Sequence, residues 1–254
     1  MGTALLTILV TVHVTFWVAW KKDKFSVMDI TWGLGPVLVA LACYLRNYSS
    51  GPKVLLLAMV AMWGLRLAGY IFVRSRNAPE DPRYMAYREK WGANYLSEGY
   101  KKVFLAQGAA MFLVTLPVQL GMSSELERFG VKQLLGAGLF FVGFALESWA
   151  DLHLYRFKQD PAMKGKLCTS GPWRFVRFPN YLGEMIIWWG LYLYILNFWT
   201  AWAILGPITI TYSLFKVTGI PLIEERYLQR PEYREYAARV PRLLPLFGKR
   251  IRPS

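Results

Sequence analysis

Apolar and polar positions alternate coarsely along this chain, in long apolar runs separated by short basic stretches. Seven runs stand out: Thr3–Trp20, Asp29–Arg46, Val54–Arg74, Lys102–Leu120, Val131–His153, Pro179–Leu196 and Trp199–Thr218. A segment crossing the hydrocarbon layer of a bilayer needs roughly 20 mostly apolar residues. The pattern therefore predicts an all-α integral membrane protein, a seven-transmembrane-helix bundle. A membrane barrel would show shorter segments alternating residue by residue, which this chain lacks.

Composition agrees with that reading. The 254 residues are 55% hydrophobic, 16% aromatic and 18% charged, too little polar surface to cover a soluble domain. The first run has no basic segment before it and no small-residue cleavage site after it, so a retained helix is expected rather than a signal peptide. No myristoylation or prenylation pattern is present, and no lipid anchor is expected. Cys43 lies in an apolar run and Cys168 in a basic loop; they form neither a disulfide framework nor a metal site.

The net charge of +14 raises the question of nucleic acid, but the basic residues are distributed by side. Lys21, Lys22 and Lys24 follow the first run, and Arg74 to Lys102 follow the third. Arg156 to Arg177 precede the sixth, and Arg226 to Arg252 fill the tail. The intervening loops hold only Arg46 and Lys53, then Arg128 and Lys132. This asymmetry predicts an outside N-terminus and a cytoplasmic C-terminus, a parity that seven crossings satisfy. The expected organisation is one membrane domain, residues 1–254, with cytoplasmic loops 75–101 and 154–178 and a tail 219–254. Nucleic acid is not expected as a partner.

Ionisable groups inside apolar helices are costly, on the order of 3 kcal/mol each, and normally face a cavity or a partner. Here they recur at helical spacing. Arg66, Tyr70 and Arg74 form one stripe with Trp63 a turn earlier, Glu147, Asp151 and Tyr155 form another, and Asn180 and Glu184 a third. Interhelical ion pairing that merely holds a bundle would explain some of them. The segment Gly171-Pro172-Trp173-Arg174-Phe175-Val176-Arg177-Phe178-Pro179-Asn180-Tyr181-Leu182-Gly183-Glu184 carries the sharpest local signal. Arginines flank a helix start, Pro179 suits the first turn, and Asn180 and Glu184 share a face, an arrangement suited to an anion. Glu224-Glu225-Arg226-Tyr227-Leu228, with Tyr233, Tyr236 and Pro241 beyond, reads as an amphipathic surface helix.

These motifs, with Asp29 and Trp32-Gly33, Trp63-Gly64-Leu65-Arg66-Leu67, Asp81-Pro82-Arg83-Tyr84, Gln107-Gly108, Phe157-Lys158 and Gly219-Ile220-Pro221, resemble the steroid 5α-reductase-like membrane reductases. The resemblance is to the bacterial branch that carries a domain of unknown function related to the steroid reductase C-terminal region, with a family-like core over residues 54–245. It implies a seven-helix bundle holding NADPH in a cytoplasm-facing cavity, with hydride passing to the activated C=C bond of an apolar enone that enters from the bilayer.

The resemblance puts Arg66, Tyr70, Arg74, Asp151, Lys158, Asn180, Glu184 and Tyr227 around the cofactor. Charge and position add Arg174 and Arg177 as phosphate contacts. A donor must polarise the substrate carbonyl; Tyr70, Asp29 and a protonated Glu184 are the catalytic candidates. Two residues depart from the family: Phe178 replaces the usual His, and Trp63 stands where the steroid reductases carry a tyrosine. No metal is expected. Such a protein would sit in the inner membrane of a bacterium or the endoplasmic reticulum of a eukaryote. A second resemblance, to isoprenylcysteine carboxyl methyltransferases that use S-adenosylmethionine, rests on the Arg177–Gly183 segment and on the tail from Glu224-Glu225 through Tyr233 and Tyr236 to Val240-Pro241-Arg242 and Leu244-Pro245.

Overall fold

The structure, a computed structural model, describes residues 1–47, 51–126 and 128–244. Among these residues it is helical throughout, with no strand. The helices are α1 (Gly2–Lys22), α2 (Val27–Arg46), α3 (Pro52–Ser75), α4 (Pro82–Trp91), α5 (Tyr95–Gly99), α6 (Ala106–Val114), α7 (Leu116–Ser123), α8 (Val131–Gln159), α9 (Pro179–Ile195), α10 (Leu205–Tyr212), α11 (Ile220–Tyr227) and α12 (Pro231–Arg239). Lys249, Arg250 and Arg252, which the charge argument puts at the cytoplasmic face, lie outside the described residues, as does Pro245.

Four helices, α1, α2, α3 and α8, and the composite segment Ala201–Tyr227 are long and apolar enough to cross a membrane. A sixth span forms if the bent pair Pro82–Val114 and Leu116–Ser123 counts as one. The chain is therefore all-α with five or six such spans by length and composition. The remaining expected crossing, α9, has 17 residues, about 25 Å of helix against roughly 30 Å of hydrocarbon.

The fourth expected span is not one straight helix. Its two pieces meet at 49° at Thr115, two residues before Pro117. Proline has no N–H to donate and its ring obstructs the preceding turn, so carbonyls there lose their helical partners. Two fully buried side chains bond to carbonyls at the break: Gln119 Nε2 donates to that of Phe112 at 2.8 Å, and Thr115 Oγ1 joins its own backbone N–H on that of Met111 at 2.8 Å. Two further turns are irregular: Tyr100–Leu105, which leads into α6, and Ser213–Val217, which follows α10, are π-helical.

The chain divides into two compact units, the first comprising residues 1–134 and 195–206 and the second 135–194 and 207–254. In the first, α2 and α3 cross at Gly33 and Gly64. A Cβ on Gly33 would lie 2.5 Å from the Gly64 carbonyl oxygen, and one on Gly64 would lie 2.3 Å from that of Gly33. Backbone meets backbone there, the close approach that small residues permit between membrane helices. Glu80 fastens the start of α2 from a distance, its carboxylate accepting the backbone N–H groups of Phe25 and Ser26.

The second unit repeats the device. A Cβ on Gly136 would meet Tyr194 and the Gly190 carbonyl, and one on Gly143 would meet the Gly183 carbonyl at 2.6 Å. Spacings of seven on both helices, read in opposite directions, fix an antiparallel α8/α9 pair. This register sets Glu147 beside Gly183, in the first two turns of α9, its Cβ 2.7 Å from where a side chain on Gly183 would begin.

Candidate functional site

In the first unit the α3 stripe forms as expected. Arg66 and Tyr70 are half-buried, Arg74 is exposed, and the Arg74 guanidinium lies over the Tyr70 ring, 5.4 Å from its centroid. This is a cation–π contact at i,i+4 spacing, which also aligns the stripe.

Asp29 sits elsewhere in that unit, in a chain of hydrogen bonds that runs one way. Trp32 Nε1 donates to Gln107 Oε1 at 2.6 Å, Gln107 Nε2 to the Tyr84 hydroxyl at 3.4 Å, and Tyr84 to Asp29 at 2.9 Å. The other Asp29 oxygen accepts from Arg83 at 2.8 Å, and Arg83 is also held by Asp81 through Nε at 2.9 Å. Three separated motifs of the sequence thus meet in one network joining α2, α4 and α6. Both Asp29 oxygens are occupied as acceptors, one by an arginine, so Asp29 serves to tie helices together. Asp29, a candidate donor to a substrate carbonyl, is thus an acceptor to both Arg83 and Tyr84 in this structure. The signal available in the sequence was that Asp29, Trp32, Arg83, Tyr84 and Gln107 are all hydrogen-bonding groups beside apolar runs.

In the second unit Glu147 and Asp151 are both buried, a turn apart on α8, while Asn180 and Glu184 are half-buried, a turn apart on α9. The antiparallel register sets these four polar groups at the same end of the helix pair. Asn180 Oδ1 is buried and accepts no hydrogen bond among the described residues. Lys158 is exposed at the end of α8. Arg174 is exposed too, its guanidinium 4.8 Å from the centroid of the Phe175 ring. Phe178, where the family pattern has His, is buried and stacked on Tyr181 at 5.9 Å, so it contributes packing alone.

The tail folds back on the approach to α9. The Arg177 and Phe178 backbone N–H groups donate to the carbonyls of Pro241 and Arg242 at 2.9 and 3.2 Å. Glu224 is buried and paired with Arg177 at 2.7 Å and Arg242 at 2.7 Å. Arg177 is itself 4% exposed at its side chain and lies against the Tyr233 ring. Arg177, an expected phosphate contact, is thus buried and paired with a carboxylate that Arg242 shares. Tyr236 donates to the Trp173 carbonyl, and Arg230 to that of Gly165 at 2.7 Å. Burial pushes the hydroxyls of both Tyr233 and Tyr236 above the ordinary tyrosine range, so they remain protonated donors at neutral pH. Tyr227, the expected cofactor contact, packs at 5.6 Å against Tyr233 in this aromatic cluster. In place of one surface helix, the tail forms two, α11 and α12, with Pro231 opening the second.

The cysteines are free and both buried. Burial raises the Cys168 thiol above its usual value, which suppresses the reactive thiolate. No group of His, Cys, Asp and Glu among the described residues could hold a metal ion.

Comparison with known proteins decides the family. Residues 15–240 match the model of the protein family of unknown function DUF1295. The chain belongs to the DUF1295 family. An uncharacterized protein of Schizosaccharomyces pombe is similar to it, 27% identical over 262 residues that cover 89% of this chain and 74% of the relative. No solved structure matches it. The matched region contains every candidate site residue named above, from Asp29 to Tyr227.

Proposed function

We propose that this DUF1295 protein is an NADPH-dependent membrane reductase acting on the activated C=C bond of an apolar, steroid-like or other lipid enone. The observation that carries the reading is the α8/α9 polar face, and within it the buried, unaccepting Asn180 Oδ1 one turn from Glu184. An amide oxygen left without a donor in an apolar setting costs about 1–3 kcal/mol, which a ligand N–H would recover. A nicotinamide carboxamide is such a donor. Within the second unit, Lys158 and Arg174 are cations suited to a dinucleotide phosphate.

When bound, NADPH supplies the hydride. The protein's part is to orient and to manage charge. Lys158 and Arg174 would neutralise phosphate and Asn180 and Glu184 fix an amide, while Arg66 and Arg74 keep the cofactor role that the family resemblance gives them. The candidate donors to a substrate carbonyl are Tyr70, Asp29 and a protonated Glu184, of which Asp29 accepts from Arg83 and Tyr84. Stabilising charge on that oxygen is where such a site gains most of its rate. Asp151 and Tyr227 complete the assignment, with Asp151 as a buried acceptor and Tyr227 as part of the aromatic wall.

The same reading has seven crossings, an outside N-terminus and cytoplasmic loops and tail. The short α9 then spans by local thinning of the bilayer, which costs fractions of a kcal/mol per ångström of mismatch. NADPH enters from the cytoplasm and the substrate from the bilayer of a bacterial inner membrane or an endoplasmic reticulum. Glu184→Gln tests the assignment: enone-dependent oxidation of NADPH should fall at least about 100-fold with the protein still monodisperse and folded. Undiminished turnover in that variant would remove the site from α9.

A further inference from the structure

A cavity in the second unit shares no lining residue with the α8/α9 face. Lys166, Leu167 and Thr169 on the loop after α8, with Arg230, Glu232 and Tyr233 at the start of α12, line about 340 Å³, within the roughly 300–1,000 Å³ range of ligand cavities. One wall is fixed by the backbone. Gly165 takes a left-handed φ of 80°, which glycine adopts without strain, and its carbonyl accepts from Arg230 Nη2 at 2.7 Å. The same guanidinium lies 6.0 Å from the centroid of the Tyr227 ring, a cation–π distance. Arg230 thus spends one of its N–H donors on the wall and keeps the others for an occupant. The Tyr233 ring is 4% exposed and packs between Tyr227 and Tyr236.

The lining carries both signs of charge. Lys166 and Arg230 are cations and Glu232 is a carboxylate, yet among the described residues neither Lys166 nor Glu232 has an ion-pair partner, although both face this one space. A simple anion would satisfy the cations and be repelled by Glu232, and a simple cation would meet the reverse. A zwitterion satisfies both. Its cationic end belongs at Glu232, where the Tyr233 ring adds a cation–π surface and the carboxylate accepts from an ammonium that has hydrogens to donate. At its anionic end stand three separate donors, the Lys166 ammonium, the Arg230 guanidinium and the Thr169 hydroxyl. One guanidinium fork suffices for a planar carboxylate, whereas donors set apart match the tetrahedral oxygens of a phosphate. The loop is also drawn back onto a candidate membrane span. A Cβ on Gly171 would lie 2.8 Å from the His153 ring, and Trp173 Nε1 donates to the Ala150 carbonyl at 3.5 Å, well inside Val131–Gln159.

We propose that this cavity binds a phosphoethanolamine group, its phosphate on Lys166, Arg230 and Thr169 and its ammonium on Glu232 and the Tyr233 ring. This site is independent of the reductase reading. Two sources carry the group, the headgroup of phosphatidylethanolamine and free phosphoethanolamine, and the test separates them. The full-length protein in detergent micelles is titrated with dioleoylphosphatidylethanolamine against dioleoylphosphatidylglycerol, and with phosphoethanolamine against inorganic phosphate, bound ligand being read by native mass spectrometry. The ammonium should favour the ethanolamine member of a pair about tenfold, the value of one charged hydrogen bond. Selectivity in the lipid pair assigns the bilayer as the source, and selectivity in the soluble pair alone assigns the free ester. Glu232→Gln should weaken binding of the ethanolamine ligand about tenfold and leave inorganic phosphate no weaker, while Lys166→Ala should weaken both about tenfold. Both side chains are exposed, so the fold does not depend on them, and the wild-type comparison stands without either variant. Binding of both members of each pair with equal affinity would make the cavity an unselective anion site, and an unchanged affinity in Glu232→Gln would leave the ammonium unseated; either overturns the proposal.

Discussion

Glu224 shows most clearly how a single residue organises the second unit. It is a buried carboxylate between two guanidiniums, and one of these, Arg177, is as buried as it is. Removing one partner from a buried pair leaves an uncompensated charge, typically costing about 3–5 kcal/mol. Glu224→Gln should therefore destabilise the protein by about 3 kcal/mol and release the tail, read as a lower denaturant midpoint and faster protease cleavage after Arg230. Wild-type stability would mean that the pair contributes nothing. The sequence marked Glu224 as part of a motif but gave no route to its partners, because Arg177 and Arg242 are brought to it by the fold-back of the tail and share no helical period with it. The stripe Arg66–Tyr70–Arg74 was readable for the opposite reason, since i,i+4 spacing on one helix is a local fact.

At the scale of elements, hydropathy located α1, α2, α3 and α8 within a few residues, because a run of apolar side chains and a helix of that length follow from one requirement, the thickness of the hydrocarbon layer. The break at Thr115 was not anticipated, although Pro117 was the signal for it. What holds the elements together was less visible. Gly64 and Gly69 are indistinguishable in the sequence, yet a Cβ on Gly64 would meet the Gly33 backbone, whereas one on Gly69 meets nothing within 4 Å. The two should respond to alanine with opposite signs. Gly64→Ala should cost about 1–3 kcal/mol by forcing α2 and α3 apart, and Gly69→Ala should gain about 0.5–1 kcal/mol from helix propensity. Unfolding in mixed detergent micelles measures both; equal effects would contradict the crossing at Gly33 and Gly64.

For the molecule as a whole, fold class was the more readable property and activity the less. Apolar length and charge asymmetry are summed over the chain and survive errors at single positions, while a site depends on a few atoms. Two of the residues expected at the site illustrate this, as Asp29 and Arg177 are held by neighbours that the sequence did not pair with them. The central claim concerns the ligand of the polar face formed by Asn180 and Glu184, and thermal unfolding of the detergent-purified protein addresses it directly. A ligand that binds only the folded state raises apparent stability, by about 2.7 kcal/mol at a hundred times its dissociation constant. NADPH should raise the unfolding temperature in a saturable manner and S-adenosylmethionine should not. Stabilisation by S-adenosylmethionine with no response to NADPH would contradict the reductase and make the α9 face a methyl-donor site.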